Sequence, residues 1–252
     1  MKRKANHWEA SYVYAITNRV ENLVYGDIGI DGAAVYAIPL GPVAAVVSDI
    51  ADRSIRPERS KLAAHHGVVK RLMEERTVLP VAFGTIADSP QAVLGILSDN
   101  REVFVEQLNR VQGTVEMGLR VTWDVPNIFQ YFVTRHQELA SLRDSLLGKL
   151  RGPSHEDKIE LGRLFDRVLT QDRETHTDKV EEVLLPRCVE IKRNPPRNEQ
   201  EVMNLACLVN RDAQKRFEDG VFEAAKLFDN NFAFDFNGPW APYHFVSVAL
   251  EV

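Results

Sequence analysis

Val115-Glu116-Met117-Gly118-Leu119-Arg120-Val121-Thr122-Trp123 has the strongest strand pattern in the chain. Its odd positions are large and apolar, and its even positions are polar or glycine. Successive side chains of a strand point to opposite faces, so this period of two predicts a strand with one buried face. The same pattern sets Glu116 and Arg120 on the face opposite the apolar one.

The segments upstream supply partners for this strand. Tyr12-Val13-Tyr14-Ala15-Ile16 is a short aromatic and β-branched run. Ala33 to Ile38 and Val43 to Ser48 are two more, joined by Pro39-Leu40-Gly41-Pro42, and they predict a hairpin. From Ser60 the period lengthens. Leu62, His66, Val69 and Met73 share one helical stripe, predicting an amphipathic helix with His66 on its packed face. Thr77 to Ile86 reads as a strand, and Pro80 puts it at an edge or a bulge. Ser89-Pro90 is a helix start, with Asp99 as a second cap before Gly113. The order strand, hairpin, helix, strand, helix, strand predicts an α+β unit over residues 1–125. It is a modified ferredoxin-like domain in which helices cover an antiparallel or mixed sheet.

Residues 126–252 predict a second α+β domain. Phe129, Phe132, Val133, His136, Leu139, Leu146 and Leu150 recur at helical steps until Gly152-Pro153-Ser154 breaks the chain. A second arm runs from Leu161 to Ile191, with a polar middle from Thr170 to Lys179 and an expected kink at Pro186. These arms form a long helical hairpin over about residues 127–193, and the polar middle is expected to be solvated. A small sheet follows over about 201–252. Its strands are Val202 to Val209, Phe232 to Phe236 and His244 to Leu250, with a helix from Asp212 to Phe228 between the first two.

Composition narrows the function. The 252 residues are 44% hydrophobic and 27% charged, with 31 Lys plus Arg against 36 Asp plus Glu, a net charge of −5. These values describe a folded globular chain and argue against a nucleic-acid binder, whose affinity rests on a basic surface. No apolar run reaches the roughly 20 residues that a spanning helix needs, so no membrane segment is expected. The start, Met1-Lys2-Arg3-Lys4, is followed by too short an apolar run for a signal peptide, and Cys188 and Cys207 are too few for a disulfide framework. A reducing cytoplasm is the expected compartment.

Chemistry-bearing motifs are absent. There is no phosphate loop, dinucleotide fingerprint, His-Glu-x-x-His or Cys-x-x-Cys, so no metal, cofactor or small-molecule substrate is expected. Gly26, Gly29 and Gly32 read as turn glycines. His65-His66 is the pair that an enzyme of unknown chemistry would use, with a pocket near His65. Adjacent helical residues point about 100° apart and no carboxylate lies one turn away, so His66 reads as a packed residue. Cys188 and Cys207 read as inert core thiols.

Several motifs taken together resemble the gas vesicle protein F/L family (GvpF/GvpL). They are Tyr12-Val13-Tyr14-Ala15-Ile16, Gly29-Ile30-Asp31-Gly32, Ala44-Ala45-Val46-Val47-Ser48-Asp49, and the His65-His66 helix leading into Val78-Leu79-Pro80-Val81-Ala82-Phe83-Gly84-Thr85. Met203-Asn204-Leu205-Ala206-Cys207-Leu208-Val209 and Gly238-Pro239-Trp240-Ala241-Pro242-Tyr243-His244-Phe245 complete the set. The resemblance implies a non-enzymatic accessory or minor structural protein of the gas vesicle. Such a protein acts in nucleation and assembly in the cytoplasm, binds the hydrophobic shell protein and other accessory gas vesicle proteins, and limits shell-protein aggregation. A partner surface is expected at Val81 and Phe83, or at Trp240, Tyr243 and Phe245. The competing expectation is that these residues build the core.

Overall fold

The computed structural model describes residues 10–19, 23–51 and 54–247. Its strands and helices run in the order β1 (Ala10–Asn18), β2 (Val24–Gly26), β3 (Val35–Leu40), β4 (Val43–Ile50), α1 (Arg59–Glu75), β5 (Val78–Pro80), β6 (Ile86–Ala87), α2 (Pro90–Asp99), α3 (Arg101–Arg110) and β7 (Thr114–Trp123). The chain continues with α4 (Ile128–Arg135), α5 (Gln137–Leu147), α6 (His155–Leu184), β8 (Glu190–Asn194), β9 (Glu201–Asn210), α7 (Gln214–Ala225) and β10 (Phe232–Trp240). These elements form an α+β protein with two sheets among the described residues. The fold class read from the sequence holds.

The chain falls into two compact units, one running through Glu116 and resuming at Pro239, the other Met117–Gly238. This differs from the expected division at 125/126. The physical reason is strand pairing. The alternating strand β7 takes its neighbours from β9 and β10, not from the first sheet. The chain therefore leaves the first unit within β7 and re-enters it at the end of β10.

In the first unit the sheet order is β2-β3-β4-β1-β5, with β6 also paired to β1. Strand β1 pairs antiparallel with β4 from Ala10 opposite Ile50 to Asn18 opposite Val43, with a register irregularity between Val13 and Ala15. It is central and buried on both faces, which explains its unbroken apolar and small composition. The expected strand from Thr77 to Ile86 is two short pieces. Gly84 adopts φ +89° and turns the chain, yet the loop stays hooked to β1 through Val81 N–H to Tyr14 O (3.1 Å) and Val13 N–H to Thr85 O (3.0 Å). Pro80 sits on β5, an edge strand, where its missing donor is harmless.

Two buried phenols organise this unit. The Tyr14 hydroxyl accepts from Ile30 N–H at 2.9 Å and lies 3.1 Å from Ser48 Oγ. The Tyr12 hydroxyl accepts from Gly84 N–H at 3.1 Å and lies 2.8 Å from His65 Nδ1. Gly29 sits under the first of these networks. A Cβ there would come within 2.6 Å of both Ser48 Oγ and the Tyr14 hydroxyl, so this glycine is required by close approach.

Helix α1 buries His65, Val68, Val69, Leu72 and Met73. The stripe is rotated from the predicted one, and His66 is exposed while His65 is inside. Helix α2 starts as predicted, with Ser89 Oγ accepting from Ala92 N–H and Pro90 at the first helical position. The second cap is Asn100 instead of Asp99, and it separates α2 from α3.

In the second unit the sheet order is β10-β7-β9-β8, with β8 and β9 antiparallel. The helical hairpin exists as α4 and α5 against α6, and Ser154 and Asp157 close a capping box at the start of α6. Two expectations for the second arm fail. The helix ends at Leu184 in a 3-10 turn that contains Pro186, and Ile191 lies in strand β8. The polar middle is packed on one face, where α6 lies on β9 and α7, while Thr170, Gln171, Glu174, Thr175, Asp178 and Lys179 are exposed. Arg173 there donates to the carbonyls of Glu201 (2.9 Å) and Asn198 (2.8 Å) and stands 5.8 Å over the Trp123 ring. Thr177 is buried in the same stretch. Trp123 in turn meets Phe132 edge-on at 5.1 Å. Long polar side chains thus cover aromatic surface that solvation would have left open.

Of the expected terminal strand, His244 to Ser247 is irregular and the remainder lies outside the described residues. Cys207 is fully buried as expected, whereas Cys188 is partly exposed.

Gly29→Ala is expected to lower stability by about 1–3 kcal/mol through overpacking, read as a lower urea midpoint. Gly67→Ala, in mid-helix with nothing within 4 Å of an added Cβ, should instead raise the midpoint, by about 0.5–1 kcal/mol on helix propensity.

Candidate functional site

The first unit carries a cleft of about 400 Å³ whose walls are mostly apolar. One wall is α1, where His66, Gly67, Lys70 and Met73 follow one another at helical spacing, and the other is the returning segment with Trp240, Tyr243 and His244. The volume lies at the lower end of the range for ligand sites, about 300–1,000 Å³, and suits one or two large side chains. Trp240 is 46% exposed, an unusual exposure for so large an aromatic in a concave wall.

Glu116 holds this wall in place. Its side chain is buried, and its two oxygens accept from the His244 backbone N–H (2.9 Å) and from His244 Nδ1 (2.6 Å). A buried carboxylate needs such partners to offset its desolvation. The double contact fixes both the turn and the ring. Tyr243 packs edge-on to His66 at 6.4 Å between ring centres. Burial first, and then the Glu116 charge, push the Tyr243 phenol up to about 12, so it stays protonated at neutral pH.

A second cluster surrounds His65. Its ring is fully buried, 5.7 Å from Tyr12 and Tyr14 and 5.8 Å from Phe83. Burial, and then the neighbouring His66, push its pKa down to about 4. Nδ1 of the neutral ring lies 2.8 Å from the Tyr12 hydroxyl, whose oxygen also accepts from Gly84 N–H. His65 does not open into a cleft, which is the condition that an enzyme centred on it would need. Among the described residues no group of three or more His, Cys, Asp or Glu side chains is arranged to hold a metal ion.

The residues singled out in the sequence divide between surface and core. Trp240 and Tyr243 line the cleft. Phe245 and Val81 are each 1% exposed and belong to the core, and Phe83 is half-buried against Tyr12 and His65. The structure therefore brings Trp240 and Tyr243 together and leaves the other three out of the cleft. Sequence reading missed Glu116, His244, Gly67 and Lys70. Glu116 was expected on the face opposite the apolar one, but at the end of β7 that belongs to the first unit both faces are covered, and Thr114, Val115, Glu116 and Met117 are all buried. No signal in the sequence marks it, because the apolar and polar residues alternate without a break through Glu116.

Comparison with known proteins places these features in a family. The family model described as gas vesicle synthesis protein GvpL/GvpF matches residues 10–247. Gas vesicle protein F of Streptomyces sp. (strain CB03234) is 27% identical over 240 residues, covering 94% of this chain and 99% of its own length. Gas vesicle protein L of the same strain is 27% identical over 264 residues, covering 95% and 94% respectively. The crystal structure of GvpF from Anabaena sp. PCC7120 superposes with a TM-score of 0.82 at 23% identity, covering 96% of this chain and all of that one. At that identity the structural likeness speaks to the fold.

The buried neutral imidazole makes stability depend on pH. With His65 near 4 in the fold and 6.5 when unfolded, its contribution is complete above about 6.5 and is lost as the pH falls through about 4, because the unfolded chain binds the proton first. Each pH unit in that window costs at most about 1.4 kcal/mol. The urea midpoint of the wild type should therefore fall more steeply between pH 7 and pH 5 than that of His65→Gln; parallel midpoints would contradict this.

Proposed function

Because the chain belongs to the GvpL/GvpF family of gas vesicle proteins, we propose that it is an accessory protein of gas vesicle assembly that binds the small hydrophobic shell protein, limits its aggregation and acts in nucleation. The work takes place in the cytoplasm, in company with other accessory gas vesicle proteins. A shell subunit with a large apolar face must be covered until it polymerises, since contiguous exposed apolar surface drives association. The observation that supports the binding half of this reading is the exposed Trp240 in the wall of an apolar cleft. Aromatic side chains with one dry face and a polar edge are the groups that anchor protein interfaces.

The test is co-expression of the shell protein with and without this chain, followed by purification on a tag placed here. Soluble shell protein that copurifies is the expected outcome, and shell protein that stays insoluble and uncaptured would refute the reading. Trp240→Ala should reduce capture several-fold with an unchanged circular dichroism spectrum. Phe245→Ala, a core truncation, should instead cost about 3–5 kcal/mol of stability, measured by denaturant unfolding.

A further inference from the structure

The exposed polar groups around the cleft are a lysine and two imidazoles. Lys70 and His66 stand on the α1 side and are exposed, and His244 stands on the other side with its ring 47% exposed. Among the described residues the one acidic side chain in the lining is Glu116, and both of its oxygens already accept from His244. The walls themselves are mostly apolar, with Met73 on the helix side and Trp240 on the other. An apolar slot with a Lys and imidazole rim and, among the described residues, no carboxylate besides the engaged Glu116 complements a ligand that has an apolar body beside a negative charge. The whole chain carries a net charge of −5, so this rim also runs against the overall sign of the protein. That contrast favours acidic partners at this place over the rest of the surface.

From this complementarity we infer that the cleft between α1 and the Trp240-to-His244 segment is the docking site for a large aliphatic or aromatic side chain of the shell protein that has an Asp or Glu neighbour. The apolar side chain fills the slot, and the carboxylate meets Lys70 and the imidazoles at the rim. Glu116 acts here as a positioning residue, since it holds the His244 turn and ring. This assignment rests on the shell-protein reading of the preceding section and adds to it the place and the chemistry of the contact.

Gly67 gives an independent handle on the cleft. It lines the slot, an added Cβ would meet nothing within 4 Å, and its φ is not left-handed. Gly67→Leu therefore fills the cleft from the helix side while improving helix propensity. In the co-expression assay, Gly67→Leu is expected to cut captured shell protein by about tenfold or more, with a thermal midpoint equal to or above that of the wild type. Lys70→Glu should cut capture by about fivefold and Lys70→Arg by less than about twofold. Wild-type capture should also weaken as salt is raised.

Undiminished capture by Gly67→Leu would overturn the cleft as the site and leave the shell-protein reading standing. Loss with Gly67→Leu but none with Lys70→Glu would overturn the carboxylate neighbour. Absence of capture by the wild type would instead count against the shell-protein reading itself, which keeps the two failures distinct.

Discussion

The first unit depends on a requirement that buried hydroxyls be satisfied. Tyr12 and Tyr14 stand on the central strand with no exposure to water, and a phenol placed there without partners would cost about 1–3 kcal/mol. Tyr14 meets the requirement through the Ile30 amide and Ser48, which fixes the 29–32 turn and leaves no room for a side chain at Gly29. Tyr12 meets it through Gly84 and His65, which ties the loop after β5 and the face of α1 to the same strand. Two hydroxyls from residues two apart on one strand thus set the turn, the loop and the helix rotation.

That rotation reaches the surface. Once His65 faces inward to meet Tyr12, residues 66, 67 and 70 must face outward, because each helical step turns about 100°. These are the residues that form the helix wall of the cleft. The opposite wall is set by a second buried polar group, Glu116, whose two oxygens hold the His244 turn. In both cases a buried polar contact, rather than apolar packing alone, determines where surface residues stand. Polar networks of this kind specify one arrangement because a displaced member loses its partner.

Much of the architecture was legible because it is local. The period-two run in β7, the Ser89-Pro90 start of α2 and the Gly152-Pro153-Ser154 break before α6 each rest on the conformational preferences of a few adjacent residues. The exposure of Trp240 was one of two open expectations, and its companion Phe245 went to the core, since a turn of five residues can send neighbouring aromatics to opposite sides. The arm's polar middle misled for a related reason. Arg173 and Thr177 look solvated by composition, yet their partners are the Glu201 and Asn198 carbonyls and the helix's own Arg173 carbonyl, which no local pattern announces.

By itself the sequence determined the α+β class, the identity of most strands and helices, the absence of familiar catalytic motifs and the family resemblance, because periodicity, capping and motif order are written in contiguous residues. Tertiary structure alone decided which sheet β7 joins, which of His65 and His66 is inside, and that Glu116 serves His244 across 128 positions. Each of those outcomes turns on a hydrogen bond or strand pairing between residues far apart in the chain. The free energy that selects such a contact is that of leaving a buried polar group without its distant partner, and it exists only once the fold has brought the two together.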